Sequence, residues 1–355
     1  MKIFVINPGS TSTKLALYED DKQVWVGGAH HPADELAEFQ HVCDQYEYRK
    51  DFVKKMLEEA GIPICFDAVI ARGGLLKPTP GGVYAINEQM KYDLLHAQME
   101  HASNLGALIA DELAGECGCP AYIADPEVVD EFMPEARLTG IPEINRLSIF
   151  HALNSKAVSR KYAASIGKAY EDLNLIVVHM GGGISVGAHR KGKVIDVNNA
   201  LNGDGPFSPE RAGTVPADQL VELCFSGKYD KRKIKKMLNG NGGLVAHLCM
   251  TDMITIASKA EAGEEPYKRV LDAMMYNVAK EAGARFVALR GEVDAIILTG
   301  GIAYSEYCVK TLRSWIDCLG TIVMMPGEDE MGSLAYNALG ALRKELPLQV
   351  YQPEG

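Results

Sequence analysis

The chain has 355 residues, of which 47% are hydrophobic and 23% charged, and a formal net charge of −11. Such values exclude disordered and fibrous classes, allow two domains with separate cores, and speak against a nucleic-acid or anionic-membrane surface. No apolar stretch approaches the length of a membrane span, and the first apolar run is too short for a signal peptide, so a cytoplasmic protein without membrane contact is expected. The eight cysteines lack a CxxC pair, and Cys117-Gly-Cys119 alone is a weak metal signal. Reduced, mostly buried thiols are expected instead. The basic run KYDKRKIKK, 228 to 236, reads as a solvated helix face.

The first predicted strand, Ile3 to Ile6, runs into NPGSTSTK, 7 to 14. This stretch is not a P-loop, which reads GxxxxGK[ST] and opens a helix. Here Lys14 follows the hydroxyls, and LALY continues as a second strand, with QVWVGG as a third. The pattern is a meander with a small, hydroxyl-rich first turn. Helical periodicity covers 33 to 61 and 87 to 116. Between them DAVIA, 67 to 71, reads as a buried strand ending at Arg72-Gly73-Gly74, and PAYIADP, 120 to 126, as a short strand ending in Asp125.

LIVVHMGGGISVGAHRKGKVIDV, 175 to 197, repeats the design of the opening segment. An apolar strand reaches a polar residue (Asn7, then His179), a small-residue turn follows, and two strands continue. Gly9-Ser10-Thr11 corresponds to Gly181-Gly182-Gly183. Two matched meanders suggest duplication. A strand into a glycine turn follows at DAIILTGGIA, 294 to 303, and the chain closes with a strand, an acidic turn and a helix over 321 to 346. A hairpin turn can bind an anion through backbone N–H groups without a helix N-terminus. In that reading Ser10 and Ser12 are donors, Gly9 admits the backbone, Lys14 adds charge, and Asn7 and His179 donate to phosphate oxygens. A plain glycine turn is the alternative for either turn taken alone.

The motifs NPGSTSTK, ARGG, EHASNLG, FHALNSK, VVHMGGGISVGA, PERAG, LTGGIAYSE and PGEDEM occur in this order along essentially the whole chain. Together they resemble the acetate and butyrate kinase family, within the superfamily of acetate and sugar kinases, chaperones and actin. The wording of NPGSTSTK, EHASNLG and HMGGGISVG is nearer the butyrate branch than the acetate branch. The resemblance implies an α/β fold of two duplicated actin-like, ribonuclease H-like domains flanking a nucleotide cleft. The expected boundaries are 1–148 plus about 331–355 for the first domain and 149–330 for the second. It further implies reversible phosphoryl transfer between ATP and a short-chain fatty acid, giving acyl phosphate and ADP, with Mg²⁺, in a homodimer or larger homo-oligomer.

Carried over residue by residue, the resemblance makes Arg211 in PERAG the transition-state arginine, where the alternative is a surface arginine paired with Glu210. Arg72 stands by position for an arginine that acetate kinases carry a few residues earlier. His151 would steady the transferring group, and His101 would lie near the substrate. Asp125 would face Mg²⁺ through water, with Glu330 as a second carboxylate unless PGEDEM is simply an exposed acidic turn. Gly300, Gly301 and Ile302 match the adenosine-side motif. Phe150 would wall the acyl pocket, helped by Pro206 and Phe207. Acetate or propionate as substrate, a sugar kinase using Asp125 as general base, and a non-catalytic actin-like nucleotide switch remain the alternatives.

Overall fold

The computed structural model describes residues 1–97, 100–201 and 203–352. The strands among them are β1 (Lys2–Pro8), β2 (Ser12–Glu19), β3 (Lys22–His30), β4 (Ala68–Arg72), β5 (Val83–Ala85), β6 (Ala121–Ala124), β7 (Asn174–Met180), β8 (Ile184–Arg190), β9 (Lys193–Val197), β10 (Ala295–Gly300), β11 (Ile322–Pro326) and β12 (Leu348–Val350). They form two sheets, ordered β12-β5-β6-β4-β1-β2-β3 and β11-β10-β7-β8-β9. The chain divides into two compact units, Met1–Val129 with Asp329–Gly355, and Asp130–Glu328.

The same five-strand plan recurs in both. β1 pairs antiparallel with β2 and parallel with β4, and β7 pairs antiparallel with β8 and parallel with β10. β6 extends the first sheet and β11 the second, each in parallel. Even the irregularities correspond: the β2–β3 register shifts between Leu17 and Tyr18, and the β8–β9 register between Ala188 and His189. The first sheet alone adds β5 and β12 beyond β6.

Buried, centrally placed strands read as continuous apolar runs. β7 is buried along its whole length, and its side chains alternate between two cores. Ile176, Val178 and Met180 join a cluster with helices Met253–Glu261, Glu265–Ala288 and Glu306–Ile316, while Leu175 and Val177 face helix Ala152–Ser165. In the first unit, Phe4, Ile6, Leu15 and Val69 pack with Val53 and Leu57 of helix Tyr46–Glu59 and with Leu105, Ile109 and Leu113 of helix Asn104–Cys117. Helix Glu330–Leu342 packs on β1 and β4.

Several expectations need correction. The boundary between the units lies at 130 rather than 149, because long-range polar contacts tie 130–148 to the second unit. Glu131 accepts from Val194 N–H at 2.7 Å and pairs with Lys156, Met133 N–H donates to Ile195 O, and Arg146 donates to Asp196 and Val197 O. At the other crossing, Asp329 and Glu330 group with the first unit. The helical stretch read over 87 to 116 is two helices, Glu88–Leu95 and Asn104–Cys117, with 98–99 outside the described residues. The stretch 33 to 61 likewise holds a short helix Ala33–Leu36, a 3-10 turn Val42–Gln45 and helix Tyr46–Glu59.

The thiols are free but not mostly buried. Cys308 is buried, whereas Cys65, Cys224, Cys249 and Cys318 are exposed. Cys224 lies on helix Ala217–Phe225, which buries none of its residues, and Cys249 caps a helix in the left-handed conformation. The basic run forms helix Lys231–Leu238, which buries only Ile234. No helix of the described residues is long and apolar enough to cross a membrane.

Candidate functional site

In the first unit, the β1–β2 turn is closed by Gly9 N–H donating to Ser12 O at 2.7 Å. Its shape is held from behind by Arg49, whose side chain is fully buried. One guanidinium nitrogen of Arg49 donates to Gly9 O at 3.0 Å, Ser12 O at 3.2 Å and Thr13 Oγ1 at 3.2 Å; the other donates to Ser10 O at 2.9 Å. Nε donates to Gln45 at 3.0 Å, so every named partner of this buried cation is a neutral oxygen. Three carbonyls of the turn point inward to the arginine. Ser10 is exposed and Ser12 half-buried, and Lys14 is exposed on β2 in register with Asn7.

Asn7, buried at the end of β1, donates from Nδ2 to Glu330 Oε2 at 2.7 Å. Glu330 Oε1 lies 3.1 Å from Arg72 Nη1, and Arg72 Nη2 lies 2.6 Å from Glu127 Oε1. Thus Asn7, Arg72 and Glu330, read separately from the sequence, form one connected group. Arg72 ends β4, and Glu330 opens helix Glu330–Leu342 behind Asp329, whose side chain caps that helix by accepting from Gly332 N–H. Asp125, just past β6, has a left-handed φ of 38° and is 1% exposed. Its Oδ1 accepts from Gly82 N–H at 2.8 Å, and its own N–H donates to Gly82 O at 2.9 Å. His101 Nδ1 lies 2.7 Å from Ser103 Oγ; burial pulls its pKa down, Glu127 opposes that, and Arg72 and Arg49 add to it.

In the second unit, Gly181 N–H donates to Gly183 O at 2.9 Å across the β7–β8 turn, and Ser208 Oγ–H donates to Gly182 O at 2.6 Å. The Arg211 guanidinium occupies the space that a Cβ on Gly183 would need. Arg211 donates to Ala200 O from Nη1, while its Nε is buried without an acceptor. Burial pulls the pKa of this guanidinium down, against an opposing pull from Glu210. Arg211 therefore rests on the turn and is not a surface arginine.

His179 is the penultimate residue of β7, as Asn7 is of β1, and it is fully buried. The His151 and His179 rings stack with centroids 3.8 Å apart and planes 7° from parallel. His151, at the N-terminus of helix Ala152–Ser165, places Nδ1 2.7 Å from Ser185 Oγ. Gly300 has φ 84°, and a Cβ there would press on the Met180 backbone, so the end of β10 lies directly against the end of β7. Ile302 is 3% exposed and belongs to the core cluster, so its side chain packs the turn from inside.

A small pocket beside the turn is lined by residues including Ile184, Ala200, Pro206, Ser208 and Arg211. Phe150 and Phe207 are not part of that lining. Phe150 is buried, and the Phe207 ring lies 6.3 Å from that of His247.

Not singled out from the sequence are Arg49, Glu127, Glu328, whose Oε1 lies 3.0 Å from His179 Nε2, and Asn154, whose Nδ2 lies 2.9 Å from His179 Nδ1 and 3.1 Å from Thr299 Oγ1. Asn154 lies within the quoted FHALNSK and Thr299 within LTGG, but neither residue type announces a role by itself. Arg49 sits on an ordinary charged helix, forty residues from the turn it braces, and nothing local marks it. Among the described residues no group of three or more His, Cys, Asp or Glu side chains is placed to hold a metal ion.

The arrangement supplies cationic and neutral donors at two small-residue turns, which suits phosphate groups. Known proteins point the same way. The acetokinase family model matches residues 143–325. The chain is 78% identical over 354 residues to a probable butyrate kinase of Phocaeicola vulgatus, covering 100% of both. It is 55% identical over 353 residues to a probable butyrate kinase of Bacteroides thetaiotaomicron, covering 99% of this chain and 100% of that one. Among solved structures it is similar to acetate kinase of Porphyromonas gingivalis, with a TM-score of 0.77 at 17% identity over 96% of this chain and 99% of that one. A propionate kinase of Francisella tularensis gives 0.75 at 19% identity, over 95% and 98%. At such identities the structures speak for the fold, which is the actin-like fold of acetate and propionate kinases, and the full-length relatives for the family: the chain belongs to the acetokinase family.

Proposed function

We propose that the protein is a butyrate kinase, transferring the γ-phosphoryl group of ATP reversibly to a short-chain carboxylate to give acyl phosphate and ADP. The observation that carries this is the Arg211 guanidinium lying on Gly183, in the unit where His179 stacks on His151. Phosphoryl transfer has a loose transition state with charge on its equatorial oxygens, so donors and positioning do most of the catalysis. A fatty-acid carboxylate is ionised at neutral pH and attacks in line without a general base. The donor set fits that demand. Arg211 offers Nε–H, which lacks an acceptor, and a planar fork suited to two phosphoryl oxygens.

At the first turn, where Gly9 N–H is committed to Ser12 O, the Ser10 and Ser12 hydroxyls would serve as donors to an anion. A bound phosphate would also balance the Arg49 charge, whose named partners are all neutral. Arg72, held between Glu127 and Glu330, and Asn7 would position the nucleotide phosphates or the acid. Gly300 and Gly301 would give the adenosine close access to backbone. Pro206, in the lining of the pocket beside the second turn, would face the acid.

Mg²⁺ fits these residues only as a largely hydrated ion, because no all-protein cage is present among the described residues. Glu330 and Asp125 would hold its water shell. The ion would neutralise charge on the nucleotide phosphates. Cytoplasmic location and assembly into a homodimer or larger homo-oligomer belong to the same reading.

A sugar kinase would need a free carboxylate as base, and Asp125 is buried with Oδ1 committed to Gly82. A nucleotide switch has no use for Arg211 and the stacked histidines around an acceptor. The test is hydroxylamine trapping with ATP and Mg²⁺ over acetate, propionate, butyrate, isobutyrate, valerate and a hexose control. Acyl hydroxamate peaking at butyrate or a branched acid supports the proposal. A peak at acetate moves it to an acetate kinase, and no hydroxamate with any acid despite ATP binding overturns it.

A further inference from the structure

The interior behind His179 holds a chain of hydrogen bonds whose directions follow from one another. It starts at a backbone carbonyl, which can only accept. Thr299 Oγ1 donates its single proton to Gly327 O at 3.1 Å. With that proton on Gly327 O, the Thr299 oxygen accepts from Asn154 Nδ2 at 3.1 Å. That same Nδ2 lies 2.9 Å from His179 Nδ1. Its two protons are therefore divided between Thr299 and His179, and His179 Nδ1 must accept. A neutral imidazole accepting at Nδ1 carries its proton on Nε2.

Asn154, Thr299 and His179 are all buried, so water does not compete for these bonds. Nε2 is itself buried and has no acceptor in hydrogen-bond alignment. Glu328 Oε1 comes within 3.0 Å of it, but out of line with the ring N–H. A Cβ on Gly181 would be 3.4 Å from this nitrogen, so Nε2 sits at the base of the second turn.

We propose that Asn154 is a positioning residue: through the chain Gly327–Thr299–Asn154 it locks His179 as the Nε2–H tautomer, presenting one neutral donor to an oxygen of the transferring phosphoryl group. The donor role rests on the kinase reading, whereas the tautomer rests on the hydrogen-bond chain alone. Stacking on His151 fixes the ring plane, and Asn154 fixes which nitrogen holds the proton. A donor of this kind is aligned before the reaction starts and needs no reorganisation as charge develops.

Two measurements on the intact protein test the proposal. The first is a long-range ¹H–¹⁵N spectrum of protein labelled at histidine, with the His179 signals assigned by their loss in His179→Gln. A protonated Nε2 and a bare Nδ1 in the wild type, with proton density moved to Nδ1 in Asn154→Asp, support the proposal. A protonated Nδ1 in the wild type overturns it. The second is steady-state kinetics of Asn154→Leu and Asn154→Asp, with thermal unfolding run alongside. We expect kcat to fall by about 10²-fold while the KM for ATP stays within about threefold, the pattern of a lost transition-state donor. Wild-type kcat in Asn154→Asp, or a change confined to KM, overturns the positioning role. If the wild type makes no acyl phosphate from any acid, the kinase reading falls and the donor role with it, and the spectrum still decides the tautomer.

Discussion

Gly183→Ala separates the role of the turn from the stability of the fold. The Cβ added there falls where Arg211 Nη1 now lies, the far end of a flexible side chain, while the nearest fixed neighbour, Ala200 O, is 3.2 Å away. Gly183 is not among the glycines with positive φ, so alanine meets no backbone strain. The displaced guanidinium can swing away, and a few tenths of an ångström of adjustment accommodate Ala200 O. Stability should therefore change by no more than about 1 kcal/mol, partly offset by the smaller entropy of the unfolded alanine chain.

Catalysis should respond quite differently. Loss of one preorganised charged donor in phosphoryl or acyl transfer removes about 10³-fold in rate, or about 4 kcal/mol of barrier. Arg211→Ala should show that loss in kcat with ATP affinity little changed. Gly183→Ala should reproduce most of it, and the double variant should be no slower than Arg211→Ala alone, since both act through the same guanidinium. The assay is hydroxamate formation at saturating ATP, with urea unfolding as the stability control. A wild-type kcat in Gly183→Ala, or multiplicative losses in the double variant, would refute this account of Arg211.

Three further outcomes are expected. Arg49→Met removes the donors to Gly9, Ser10, Ser12 and Thr13 and should cost about 2 kcal/mol or more by urea titration, since the buried Thr13 Oγ1 and the part-buried turn carbonyls lose their partners. It should also raise the KM for ATP about tenfold if those carbonyls set the turn. An unchanged KM beside lost stability would make Arg49 a core residue only. Glu330→Gln weakens the hold on Arg72 and should raise the Mg²⁺ concentration for half-maximal rate, whereas an unaltered Mg²⁺ dependence would place Glu330 outside the metal's surroundings. Burial, with the Arg49 charge adding and Glu35 opposing, lowers the pKa of His31 to about 4. Between about pH 6.5 and 4 the unfolded chain then binds a proton that the folded chain does not. Stability from this group is full above that window and is lost as pH falls through it. His31→Gln should flatten that slope, and identical pH profiles for variant and wild type would exclude the assignment.

Much of the fold could be read from sequence because its repeated unit is local. In each meander the partners of β1 or β7 on the hairpin side lie within twenty residues, and apolar runs with small-residue turns encode that directly. Asn7 and His179 near matched strand ends were legible for the same reason. The break between helices Glu88–Leu95 and Asn104–Cys117 is not legible in the helical patterning of 87 to 116, because apolar spacing continues across it. Thiol burial was misjudged because composition says nothing about which face of a helix a cysteine occupies.

What the sequence by itself determined was the doubled strand–turn–strand plan, the two anion-suited turns and the family, all carried by short-range order and contiguous motifs. Only the tertiary structure decided that Arg49 braces a turn forty residues away, that Glu330 reaches Asn7 across 323 positions, and that Asn154 reaches Thr299 across 145 positions while also holding His179. Each of those links joins a side chain to a group distant in sequence that helix–sheet packing brings near. A buried polar group takes whatever partner that packing provides, and residue identity alone does not say which one.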